Sequence, residues 1–164
     1  MKDKLLFKKY DETPIDDVHK YVKDWIKENP YGTLTIGCDS QEHAKFIKYA
    51  ATIIMHKKDS SGIGHGGHVI YASFKDYTRN AKSDIYTKLF FEAEVTIEAA
   101  KLVGEVGWPI NIHLDYNSKP EEYSHVLYHA GLGYVSSLGY KAFGKPNSWG
   151  ASVCADKIAK SGKK

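Results

Sequence analysis

Asp39, Asp115 and Asp156 lie far apart in the chain, and each sits where a folded sheet can gather carboxylates. Asp39 closes the apolar, β-branched run Thr33-Leu34-Thr35-Ile36-Gly37-Cys38, and Asp115 closes Ile110-Asn111-Ile112-His113-Leu114. Asp156 lies in the stretch from Trp149 to Lys157, which reads as a helix. A carboxylate half-buried at the end of an apolar strand is costly unless something cationic meets it. Several of them converging is a way to hold divalent metal, because hard ions such as Mg²⁺ and Mn²⁺ take oxygen ligands.

Convergence demands particular elements. Residues 13–29 carry helix signals: Thr13 as cap, Pro14 at the first position, Asp16 and Asp17 at the positive end of the dipole, and Ile15, Val18, Val22, Trp25 and Ile26 on one face. A first strand follows and ends at Asp39. Residues 46–57 and 69–74 read as strands of a hairpin across the Gly/Ser/His stretch 59–67. The longest helical pattern runs over 84–106, from Asp84 through Leu89, Ala93, Ile97, Ala100 and Val103. The second Asp-bearing strand comes next. Residues 120–129 read as a helix, 140–143 as a short strand, and the segment after Lys145-Pro146-Asn147-Ser148 as a last helix. Three strands joined by short loops pair antiparallel, whereas a strand returning after a helix can pair parallel with the first. If the strands of Asp39 and Asp115 are neighbours, both aspartates fall at one end of the sheet, and the last helix can bring Asp156 to them.

A chain of 164 residues with 42% hydrophobic and 26% charged residues is expected to form one soluble domain with a sizeable core. No apolar run approaches the ~20 residues that span a bilayer. The N-terminus has neither the apolar stretch nor the cleavage site of a signal peptide, so a cytoplasmic location is expected. Cys38 and Cys154 form no metal-type pair and read as buried, reduced thiols. A net charge of +3 is too small to announce a nucleic-acid binder, and the lysines at 2–9, 57–58 and 157–164 read as solvated surface.

Four blocks resemble a known family: Ile36-Gly37-Cys38-Asp39-Ser40-Gln41; His113-Leu114-Asp115-Tyr116-Asn117; Gly133-Tyr134-Val135 with Gly139-Tyr140; and Lys145-Pro146-Asn147-Ser148-Trp149-Gly150-Ala151-Ser152 through Ala155-Asp156-Lys157. The chain resembles ribonuclease H-like domains, and more narrowly the YkuK family among them. The resemblance implies an α/β fold with a mixed five-stranded sheet flanked by helices. It makes residues 1–30 a helical extension and 31–160 the core of a single domain covering 1–164. It also implies an acidic site for two Mg²⁺ or Mn²⁺ ions, with Asp39 bridging, Asp115 on one ion and Asp156 on the second. The family pattern adds a glutamate from the long helix. Glu92, Glu94 and Glu98 compete for it; Glu92, with Thr96 one turn on, matches the family position best, and Glu94 is next.

The activity implied is metal-dependent hydrolysis of phosphodiesters in RNA, DNA or a hybrid. The alternative is a non-catalytic module of the same fold that binds nucleic acid or protein. An actin-like phosphotransferase is disfavoured, since no glycine-rich phosphate loop is visible. Ser40, Gln41, Asn117 and Lys145 are candidates for supporting the site or touching phosphate. His65-Gly66-Gly67-His68 reads as a flexible hairpin tip. His125 and His129 share a helix face but lack a third zinc ligand, and one of them could move a proton. Trp149 reads as a core anchor of the last helix.

Overall fold

In a computed structural model, residues 5–78, 85–122 and 124–162 are described. Asp84, Lys2, Lys4, Lys163 and Lys164 lie outside them. The chain begins with a tight reversal. A two-residue strand β1 (Lys8–Lys9) is followed by a return in which Lys9 N donates to Thr13 O (2.9 Å) and Ile15 N to Phe7 O (2.9 Å). Pro14 bridges Lys8 there, so Thr13 and Pro14 do not open the helix. Helix α1 (Val18–Glu28) starts later, capped by Asp17, whose Oδ1 accepts from Lys20 N at 2.9 Å. It buries Val18 and Val22.

Strands β2 (Gly32–Glu42), β3 (Ile47–Lys58) and β4 (Gly64–Asp76) form an antiparallel meander of β-branched and aromatic residues. Two boundaries differ from expectation. β2 runs past Asp39 to Glu42, because β3 continues to pair with it as far as Ile47. The His65–His68 stretch is no flexible tip: it belongs to β4, and His68 Nε2 meets the Tyr21 hydroxyl at 2.6 Å.

Helix α2 (Ile85–Val103) crosses one face of the sheet and returns the chain to β5 (Ile110–Asn117), which pairs parallel with β2. Helix α3 (His125–Ser137) begins later than expected and runs past residue 129 through Gly131 and Gly133. Gly131 is the reason: a Cβ there would strike the Tyr116 ring. The missing side chain lets α3 close on β5, outweighing the usual helix penalty of about 1 kcal/mol for glycine. Strand β6 (Lys141–Lys145) pairs parallel with β5. The chain ends in a π-helical segment (Gly150–Ala155) and a short α4 (Asp156–Lys160). The sheet order is β1-β4-β3-β2-β5-β6, five long strands plus the two-residue β1 at one edge.

Alternation along β2 sets the two layers. Leu34, Ile36 and Cys38 face α2 in the main core, while Thr35 faces the C-terminal segment, its Cγ2 close beside Gly150. Cys38 is buried and Cys154 only partly so, and both are free thiols. Among the described residues no helix is long and apolar enough to cross a membrane.

Candidate metal centre

The parallel ladder of β2 and β5 runs from Leu34/Ile110 to Gly37/His113. Two residues further on each strand, on the same face, come Asp39 and Asp115. There the strands part and β2 continues with β3 alone. The expected juxtaposition on adjacent parallel strands is present, at the carboxyl ends where open α/β sheets place ligands. Burial raises the pKa of Asp39 to about 7; the Ser40 amide (2.8 Å to Oδ1) opposes this, and the charges of Asp115 and Asp156 add to it. A side-chain hydrogen bond links Asp39 to Asp156.

The opposite layer supplies Glu92. Only 4% exposed on α2, it accepts from the Ser40 hydroxyl through Oε1 at 2.6 Å. Its Oε2 is buried with no hydrogen-bond partner among the described residues. Burial first, then the charge of Asp39, pushes its pKa well above the usual carboxylate range, against the Ser40 hydrogen bond and the charge of Lys88. Glu98 instead pairs with Lys101 at 2.7 Å, on the exposed side of the helix. Of the competing glutamates, Glu92 is the one whose environment includes Asp39 and Asp115.

Asp156 arrives through a device that the sequence reading did not identify. His113, facing the C-terminal segment from β5, accepts the Gly150 amide proton at Nδ1 (2.9 Å). Burial lowers its pKa to about 4, so the ring is neutral and Nδ1 keeps its lone pair. Gly150 is required at this contact, since a Cβ would come within 2.9 Å of Thr35 Cγ2 and 3.0 Å of His113 Nδ1. Trp149 lies edge-on to His113, with ring centroids 5.2 Å apart. At 41% exposed it is a half-open lid on that histidine and not the core anchor expected of it. The π-helical segment then delivers Asp156 as the first residue of α4. Single π turns of this kind recur at functional sites.

Two lysines complete the cluster. Lys145 Nζ is 2.7 Å from Asp115 Oδ1, and Lys160 Nζ is 2.8 Å from Asp156 Oδ1. Lys160 had a legible signal in its i,i+4 spacing from Asp156. With Asp115 and Asp156 engaged by these cations, no group of three or more His, Cys, Asp or Glu among the described residues is arranged to hold a metal ion. The donor types nevertheless suit one: all four are carboxylates, and the unpartnered Glu92 Oε2 is a buried hard-oxygen donor.

Other candidates have structural roles. Asn117 Oδ1 accepts from Lys119 N (3.0 Å) in a turn, and Gln41 Nε2 reaches only its neighbour's carbonyl, Glu42 O, at 3.5 Å. His125 and His129 lie with ring centroids 6.1 Å apart, without a third ligand among the described residues.

The family model described as Ribonuclease H-like matches residues 15–160, which is most of the chain. The chain belongs to the ribonuclease H-like family. Neither a curated protein nor a solved structure matches it. The ribonuclease H-like match begins at Ile15 and therefore takes in α1 as well as the sheet.

Proposed function

We propose that this ribonuclease H-like protein hydrolyses nucleic-acid phosphodiesters with Mg²⁺ or Mn²⁺ held by Asp39, Glu92, Asp115 and Asp156. One observation carries the reading. Carboxylates from two strands and two helices meet at one end of the sheet, and the pKa values of Asp39 and Glu92 are raised by burial and by their acidic neighbours. Crowding of this sort does nothing for stability and is a mark of functional sites. When bound, divalent metal supplies Lewis acidity for activating water and for stabilising the departing oxygen.

The chain's own residues prepare this. Asp39, acted on by both Asp115 and Asp156, would be the central carboxylate holding the metal. Ser40 holds Oε1 of Glu92 and leaves Oε2 available. His113 fixes the segment that carries Asp156. Lys145 and Lys160 offset the acidic charge in the metal-free protein.

A second reading is a non-catalytic nucleic-acid-binding or protein-binding module. It is favoured by the same two lysines, which already neutralise two of the carboxylates. A cleavage assay on hybrid, single-stranded and duplex substrates, with Mn²⁺ or EDTA, separates the two. Metal-dependent cleavage that disappears in Asp39→Asn supports the nuclease. Cleavage undiminished by that change, or no cleavage together with no effect of Mn²⁺ on the melting temperature, refutes it.

A further inference from the structure

On the same face of the sheet as Asp39, at the same end, lies a cleft of ≈ 560 Å³. The cross-strand register ties the two together. Asp39, Ala50 and Ser73 form one row across β2, β3 and β4, and Gln41, Lys48 and Lys75 form the next. At about 4.8 Å per strand, Ser73 on the cleft floor is about 10 Å from Asp39.

The walls combine rings and cations. Phe46 stacks on His43, with centroids 4.5 Å apart and planes inclined by 27°, and its other neighbour is Tyr77 at 5.3 Å. Lys75 Nζ sits 4.8 Å from the Phe46 centroid. Tyr77 is 65% exposed, an open aromatic surface at the rim. Lys48, buried beneath, donates to Ile158 O (3.1 Å) and Ser161 O (2.7 Å), tying the end of α4 to the floor and adding positive charge. Ser73 Oγ is buried with no hydrogen-bond partner among the described residues. No carboxylate is among the described lining residues. The cleft is thus a positive, partly aromatic trough on the far side of α4 from the acids, since Ile158 and Ala159 of that helix cover Ala50 between Asp39 and Ser73.

Resting on the nucleic-acid reading of that cluster, we infer that the cleft seats an unpaired nucleic-acid strand. Its bases stack on the His43–Phe46–Tyr77 shelf and its phosphates are drawn to Lys75. Stacked rings interleaved with lysine fit unpaired bases, whose π faces are open. They do not fit a duplex, whose bases cover one another. The substrate is therefore one with a single-stranded segment that passes around α4 between the carboxylates and the cleft, and the contacts are tolerant of sequence because rings read faces and not edges.

The test is fluorescence anisotropy of the full chain with labelled oligonucleotides of about 12 nucleotides, in EDTA so that binding is read without cleavage. Wild type should bind single strands more tightly than a blunt duplex. Phe46→Ala should weaken single-strand binding by about 5- to 150-fold, and Tyr77→Ala in the same direction. Lys75→Ala should reduce the slope of log affinity against log salt by about 0.7. All three side chains are at least partly exposed, so melting curves should confirm folded variants. Wild-type affinity in both aromatic variants would overturn the inference, as would a duplex bound as tightly as a single strand. Phe46-dependent binding of polyglutamate with none of the oligonucleotides would overturn it in favour of an acidic protein partner. The two ideas fail separately: without any cleavage the binding result still stands, and unchanged KM for cleavage by Phe46→Ala would remove the cleft alone.

Discussion

Asp39→Asn removes the proton-binding group at the centre of the cluster while keeping its shape, and Asn Oδ1 can still accept the Ser40 amide. In the folded protein the pKa of Asp39 is raised from 3.8 to about 7. Between those values the native state holds a proton that the unfolded chain has released, so stability falls as pH rises through that window and the loss is complete above it. Three pKa units correspond to about 4 kcal/mol. Asp39 keeps some solvent contact, so about 2–4 kcal/mol is the expected range. In EDTA at pH 8, Asp39→Asn should therefore be more stable than wild type by about 2–4 kcal/mol, which at this chain length is about 2–4 °C of melting temperature per kcal/mol. At about pH 4 the advantage should shrink to under about 1 kcal/mol, because wild type is then protonated as well. Saturating Mn²⁺ should reverse the order. A ligand at 100 times its Kd adds about 2.7 kcal/mol to the protein that binds it, and the variant should gain little. Urea unfolding of both proteins at the two pH values, with EDTA and with Mn²⁺, reads all of this. A variant less stable than wild type at pH 8, or an advantage that does not change with pH, would refute the account of carboxylate crowding.

His113 contributes a pH dependence of opposite sign: its folded pKa of about 4 lies below the usual 6.5, so its stabilisation is present above 6.5 and is lost as pH falls through the folded value. Asp39→Asn should expose that acid-side loss, and His113→Phe should abolish it while costing about 1–3 kcal/mol for the orphaned Gly150 amide; urea unfolding at neutral and acid pH distinguishes them. Gly150→Ala should destabilise by about 1–3 kcal/mol through overpacking against Thr35 and His113, and should also weaken the stabilisation by Mn²⁺, as a melting series would show, because the segment carrying Asp156 is displaced. Lys160→Ala should leave the metal-free melting temperature nearly unchanged, since its pair with Asp156 is exposed. Calorimetric titration should show tighter Mn²⁺ binding by that variant, because a competing cation is gone.

Much of the frame was legible along the chain. The strand 110–117, the long central helix and the hairpin of β3 and β4 all followed from β-branched runs and helical spacing. Asp39 and Asp115 were legible as a pair because each closes such a run. Where glycine or histidine interrupted the pattern, local rules misled: α3 passes through Gly131 because the Tyr116 ring occupies the space of a Cβ, and His65–His68 is strand because β3 offers it a partner. Glu92 lies beside Ser40 and Asp39 because α2 meets the sheet where Ser40 can donate to it. Asp156 reaches the cluster because a buried, neutral His113 grips the Gly150 amide across 37 residues. Lys145 and Lys160 face the acids because charges gathered in a partly buried place draw the nearest cation. Periodicity and turn chemistry act over a few residues, so they are readable in one dimension. Burial, hydrogen-bond satisfaction and charge compensation depend on neighbours that only chain folding brings near, and those forces assembled this site.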